Sequence, residues 1–314
     1  MLFRSIANVP EIGVVSNGQY TVLMNDRGSG FSRYRNILLC RYRKISADHY
    51  GTYLYIRNLS TDQIWSATYA PLDVMPENYR VSFASDKICY VRTDGPVVTK
   101  TEVTVLKDRS AELRRYTFSN NSDSDIDLEI TTYGEVVLAT AAEDESHRVF
   151  NAMKIDSSYD SNCQAIFFSR PGNGDSRHYM MHRLWVDEQQ EQGDWANLVE
   201  YETSRLKFLG RGNSLRRAHI IESRSTLTAT VGTTLDHIMS MRRRIHIAAG
   251  KSSEAYVITA FGKAHEQLEQ LAEQYQSQAD VEHAFHTASV FNNIRLQKSL
   301  LTGSQMRLYC NIAK

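Results

Sequence analysis

The sequence predicts a mainly β protein, one large antiparallel β-sandwich followed by a short helical region. Two observations carry that prediction. From residue 12 to about residue 262, short runs rich in Val, Ile, Thr, Tyr and Phe recur between turn residues, which is the pattern of strands. After Gly262 the apolar period changes to that of helices. The chain has 314 residues, enough for a sizeable core. It divides at the change of period into a sandwich domain over 1–262 and a helical stretch over 263–314.

Taken in order, residues 20–24, 51–58 and 64–69 open the strand series. Residues 87–92, 97–106 and 112–119 follow, then 125–138. Between the last two runs lies Asn120-Asn121-Ser122-Asp123-Ser124-Asp125, a polar turn cluster that reads as a hairpin connection. Many strands at this spacing argue for a sandwich of two packed layers. Two segments read as surface loops: 170–177, which holds Pro171, Gly172 and Gly174, and the glutamine-rich 188–194. Neither Gly172-Asn173-Gly174 nor Gly210-Arg211-Gly212 has the third glycine and following helix that a dinucleotide loop needs. Beyond Gly262, Ala264, Leu268, Leu271 and Tyr275 share one helix face, and Val281, Phe285, Ala288 and Phe291 share a face of a second helix. A third helical stretch is expected from Ser304 onward.

Composition excludes some functions. The 36 basic and 36 acidic residues cancel, which removes the electrostatic ground for a nucleic-acid or membrane-surface partner. Cys40, Cys89, Cys163 and Cys310 are far apart and form no CxxC, so reduced structural thiols are expected rather than a zinc site or disulfide framework. The first residues lack the apolar stretch of a signal peptide, and no run of about 18 apolar residues occurs. A cytoplasmic protein is the expectation.

The most distinctive local feature is Gly28-Ser29-Gly30-Phe31-Ser32-Arg33-Tyr34-Arg35, followed by Arg41-Tyr42-Arg43. Glycines give backbone freedom, arginines give hydrogen-bond forks and tyrosines give flat faces, the groups a sugar or phosphate site uses. If residues 33–43 form one strand, Arg33, Arg35, Arg41 and Arg43 share a face with Ile37 and Leu39. Tyr34, Asn36, Cys40 and Tyr42 then take the other. These arginines either pair with acidic residues of neighbouring strands or reach toward a ligand.

The segment from Ser16-Asn17-Gly18 through Gly28–Arg35 to Tyr53-Leu54-Tyr55-Ile56-Arg57 resembles the amino-terminal β-sandwich of glycoside hydrolase family 94. Within that family it is most similar to the branch of cyclic β-1,2-glucan synthases and β-1,2-oligoglucan phosphorylases. Further matches are Ile64-Trp65-Ser66-Ala67, Glu112-Leu113-Arg114-Arg115, the run from Thr132 to Ala139, Phe208-Leu209-Gly210-Arg211-Gly212 and Arg242-Arg243-Arg244.

The resemblance implies a supersandwich whose loop of Gly30, Ser32, Arg33, Tyr34 and Arg35 contacts a β-glucan or oligosaccharide. It also implies that residues 263–314 are a linker and the start of a helical barrel carrying the catalytic acid. In that barrel an acid protonates the glycosidic oxygen while phosphate attacks the anomeric carbon from the opposite face. This chain is therefore expected to be non-catalytic, with no metal or organic cofactor and with a barrel-bearing chain or a second copy as partner. The alternative is a standalone carbohydrate-binding or protein-interaction module. With the barrel missing, the apolar faces of the linker helices are expected to be exposed.

Other candidates are weaker. His178 and His182 share a strand face but lie far apart with no third ligand, and His283 and His286 read as surface residues of a helix. Glu135 reads as a structural buried glutamate rather than a catalytic acid. Trp65, Trp185, Trp195, Tyr53, Tyr55 and Tyr69 either stack on sugars or fill the core, with the polar setting of Trp195 favouring exposure.

Overall fold

The computed structural model describes residues 10–42, 50–172, 174, 176–186, 198–298 and 305. It is an antiparallel three-sheet sandwich. The first sheet has five strands in the order β1(Ile12–Ser16), β2(Tyr20–Asn25), β3(Gly30–Tyr34), β4(Ile37–Cys40), β12(Val136–Thr140). The second sheet has eight strands. Their order is β13(Asp156–Asp160), β14(Ala165–Pro171), β15(Arg177–Val186), β18(Ser252–Gly262), β10(Ala111–Asn120), β9(Val97–Val105), β8(Ile88–Asp94), β7(Asn78–Phe83). The third has five strands in the order β16(Glu200–Ser204), β17(His237–Ile247), β11(Ile126–Tyr133), β5(Tyr53–Asn58), β6(Ile64–Ser66).

Strand periodicity sorts side chains between layers. Along β10, Tyr116 and Phe118 face the main core, where the eight-stranded sheet meets both five-stranded sheets. The alternate residues Ala111 and Leu113 face the opposite side. Likewise Leu54 and Ile56 of β5 face the main core, while Tyr53 and Tyr55 face a smaller cluster. Two short helices, α3(Arg205–Leu209) and α4(His219–Glu222), close that cluster with Phe208, Ile220 and Ile221.

The outer face of the eight-stranded sheet is covered by α5(His265–Gln274) and α6(Gln278–Lys298). Leu268, Leu271, Tyr275, Val281 and Phe285 are buried there against Leu113, Phe167, Trp185 and Ile258. Arg183 secures the end of α5 by donating to the carbonyls of Ala272 and Tyr275 at 2.8 and 2.7 Å, a cation at a helix C-terminus. This overturns the expected exposure of the helices' apolar face. The sandwich itself covers most of it, while farther along α6 Val290 and Ile294 are exposed and Phe291 and Leu296 half-buried.

Three further expectations change. Residues 125–138 are not one strand: the chain leaves β11 in the third sheet and enters β12 in the first across Gly134-Glu135. Gly134 lies against Met239 at this crossing: an added Cβ would stand 2.3 Å from the end of the Met239 side chain, which would have to shift to admit it. The polar cluster 120–125 is not a hairpin either, because β10 pairs with β9 and β18 while β11 pairs with β5 and β17. Asn120 turns the chain from one sheet to another by donating to the carbonyls of Ser124 and Ile247. The aromatic platforms are core instead: Trp65, Trp185, Tyr53 and Tyr55 are buried, and Tyr69 packs against the main core. Trp195, Arg43, Cys310, the loop 188–194 and nearly all of the stretch from Ser304 lie outside the described residues.

Candidate functional site

The glycine–arginine motif does not form one strand. Arg33 pairs with Leu38 and Tyr34 with Ile37, so the chain reverses at Arg35-Asn36. Arg35 takes the left-handed corner at φ 51. The motif's residues therefore separate by role. Gly30 and Ser32 lie within β3 and are buried. A Cβ on Gly30 would meet the Leu23 carbonyl oxygen at 1.9 Å, and Ser32 donates to Glu112 Oε2 at 2.9 Å. Arg33, Tyr34 and Arg35 form the outer part of the hairpin. The Arg33 guanidinium lies over Phe31 and that of Arg35 over Tyr34, while the Tyr34 ring stacks on Phe261 at 4.3 Å. Among the described residues neither Arg33 nor Arg35 has an acidic side chain within salt-bridge distance.

Arg41 takes the opposite course. It is buried and meets three carboxylates, Glu135 at 2.6 Å, Asp144 at 3.1 Å and Asp236 at 3.2 Å. With Asp144 it makes a fork, Nε to Oδ2 and Nη2 to Oδ1, both at 3.1 Å. Arg205 reaches Glu135 at 2.7 Å, Arg148 reaches Asp236 at 3.0 Å, and the Tyr133 hydroxyl donates to Glu135. Burial opposes the charge on Glu135, but Arg41 and Arg205 outweigh it and hold the carboxyl below its ordinary range. For Arg41, burial is likewise outweighed by Asp144 and Glu135, so its pKa is raised. Glu135 is thus ionised and fully engaged, the structural role expected of it.

This cluster anchors two short helices between β12 and β13, α1(Ala141–Ser146) and α2(Arg148–Ala152). Thr140 and Glu143 cap α1 reciprocally, satisfying donors at its first turn. Glu143 is held ionised chiefly by the Thr140 backbone N–H. Arg170 of β14 ties down α2 through the Asn151 Oδ1 at 2.8 Å, and the Asn151 amide donates to the Glu143 carbonyl. A cavity of about 390 Å³ opens between the helices, lined by Glu143, Ser146, His147, Phe150, Asn151 and Lys154. Phe150 is 71% exposed, and Val149 and Met153 beside it are also exposed. Because Ile37 of β4 pairs with Thr140, the Arg35-Asn36 turn lies next to the start of α1. The outer hairpin and the cavity therefore occupy one end of the sandwich. The cavity residues carry no motif and escape a reading by composition. The one sequence signal is the Thr140-x-x-Glu143 capping pattern within a β-rich chain.

Between the sheets lies a second polar group. Arg114 donates to the Thr52 carbonyl at 2.7 Å and pairs with Glu112. His182 is buried between the hydroxyls of Thr132 and Thr259, at 2.9 and 3.0 Å. Burial, reinforced by the Arg114 charge, pushes its pKa down to about 3, so it is neutral. His178, on β15 with His182, lies against Phe261 of the neighbouring β18, 5.5 Å between rings, and His283 and His286 are exposed on α6. No group of three metal-ligating side chains occurs among the described residues. The buried Cys40 and Cys89 and the half-buried Cys163 are free thiols. No helix among the described residues is long and apolar enough to cross a membrane.

Comparisons with known proteins agree with this architecture. The cyclic beta-(1,2)-glucan synthase NdvB of Rhizobium meliloti (strain 1021) is 28% identical over 300 residues, 94% of this chain and 10% of that protein. The chain thus spans about a tenth of the length of this relative. A bacterial glucoamylase complexed with acarbose superposes with a TM-score of 0.53 at 8% identity, over 91% of this chain and 39% of that one, a likeness of fold alone. The model of the family described as glycosyl hydrolase 94, supersandwich domain, matches residues 4–278, which takes in β1 to β18 and α5 among the described elements. The chain belongs to that carbohydrate-active family, as its supersandwich domain.

Proposed function

We propose that this chain is the non-catalytic, carbohydrate-binding sandwich of a β-1,2-glucan phosphorylase or synthase system. It holds a β-glucan or oligosaccharide at the end where the hairpin turn meets α1. Arg33, Tyr34 and Arg35 offer hydrogen-bond forks and a ring to the sugar, while Gly30 and Ser32 shape the strand beneath them. The observation that carries this reading is the state of the acids there. Glu135 and Asp144 are buried and paired with arginine, and Glu135 is held below the ordinary carboxylate range. A general acid working near neutral pH needs a raised pKa, the reverse of this arrangement. On this reading bond cleavage belongs to the helical barrel of such a system rather than to these residues, and the sandwich works in the cytoplasm without a metal or organic cofactor.

Calorimetric titration with β-1,2-glucooligosaccharides tests the reading. Binding is expected, and the same sample with inorganic phosphate should release no glucose 1-phosphate. Turnover by the purified chain, or no binding at all, would overturn it. A protein-interaction role is the second reading, favoured by exposed Val149 and Phe150 on α2 and Met153 at its end, together with Leu206 and Leu235. Sedimentation of the chain, alone and mixed with a barrel-bearing protein, separates the two.

A further inference from the structure

We propose that the cavity between α1 and α2 is a subsite for one neutral pyranose ring of a β-linked glucooligosaccharide, stacked on Phe150. The proposal rests on the carbohydrate-binding reading above and names a place where the sugar is held. The cavity's volume of about 390 Å³ lies at the small end of ligand sites and suits a single sugar unit with its substituents.

Its chemistry is divided as a pyranose is divided. Phe150, largely exposed, presents a flat apolar face to the ring's C–H groups. Glu143, Ser146, His147 and Lys154 surround it with acceptors and donors for the hydroxyls. Glu143 and Lys154 carry opposite charges, so a phosphate meets a carboxylate and an amine meets an ammonium. A neutral polyol meets neither penalty.

The site is also rigidly supported from beneath. Arg41 grips Asp144 on α1, Arg170 grips Asn151 on α2, and the capping box fixes the first turn. Asp144 is buried on the inner side, Glu143 and Asn151 are held in place at the cavity wall, and the Phe150 face is left to solvent, so binding there orders little that is not ordered already. An oligosaccharide longer than one ring extends toward the Arg35-Asn36 turn, which the pairing of Ile37 with Thr140 places at the start of α1.

The test is a calorimetric titration with a β-1,2-linked glucopentaose of wild type, Phe150→Ala, Phe150→Tyr and Tyr34→Ala, each checked by thermal melting. Phe150→Ala should weaken binding about tenfold, the loss expected for one stacked aromatic ring, with the melting temperature unchanged. Phe150→Tyr should retain the affinity. If Phe150→Ala melts early, the tyrosine variant decides: retained affinity supports the subsite and lost affinity overturns it. Wild-type binding that Phe150→Ala leaves intact overturns the subsite, while the carbohydrate-binding reading survives, all the more if Tyr34→Ala weakens it. No wild-type binding overturns both. Self-association abolished by Phe150→Ala, with sugar affinity unchanged, assigns the surface to protein contact and overturns the subsite.

Discussion

Helices α5 and α6 lay Leu268, Leu271, Val281 and Phe285 onto the eight-stranded sheet, whereas α2 turns Val149 and Phe150 to solvent and, with α1, is held by Arg41, Arg170 and their partners. Burial of an apolar face is non-directional and stabilises in proportion to the area covered. A buried ionic anchor contributes less net stability, but it sets position and leaves the outer face free for other work. The first covering completes the fold. The second builds a platform.

The strongest way to break this contrast is Arg41→Ala. It leaves Glu135, Asp144 and Asp236 without their common partner, and the expected loss is about 3–5 kcal/mol in urea unfolding, as for other buried pairs broken on one side. A loss under about 1 kcal/mol, the scale of a surface pair, would mean that the cluster is not an anchor. On the other covering, Leu271→Ala removes a buried side chain from the α5 contact. It should cost about 2–5 kcal/mol and leave sugar binding unchanged.

Acid should separate the two coverings. Glu135 has a folded pKa below its unfolded value, so its contribution is complete above the ordinary carboxylate range and is lost as pH falls through the folded pKa. Hydrogen exchange of α1 and α2 should therefore accelerate on acidification more than that of α5 and α6. Both should share a global decline from His182. Its pKa falls from 6.5 unfolded to about 3 folded, so the unfolded chain binds the proton first and stability drops as pH goes below 6.5. The drop is on the order of 2 kcal/mol between pH 6.5 and 5. A His182→Gln chain with the same slope over that range would refute the assignment. The smallest effect belongs to Val149→Ser, exposed on α2, which should change stability by no more than about 0.5 kcal/mol.

Legibility in the sequence followed the range of the interaction. The faces of α5 and α6 could be read because residues three and four apart share a side, and Leu268, Leu271, Val281 and Phe285 are buried as a set. What covers them could not be read, and they lie on the sandwich itself. The motif at 28–43 was legible as unusual, but its geometry was not. A turn at Arg35-Asn36 divides it, with Arg33 and Arg35 on an exposed hairpin and Arg41 in a buried cluster. Phe150, His147 and Lys154 gave no signal, because nothing local distinguishes a cavity wall from an ordinary polar helix.

By itself the sequence determined the β class, the change to helix after Gly262 and the family, since strand alternation, helical period and motif order are properties of short stretches of chain. Tertiary structure alone decided which sheet each strand joins and what Arg41 meets. Its partners Glu135, Asp144 and Asp236 stand 94, 103 and 195 residues away along the chain. Any of the 36 acidic residues could have filled those places. A charge pairs with whatever the fold brings within a few ångströms, and that is set by the packing of the sheets rather than by any local period.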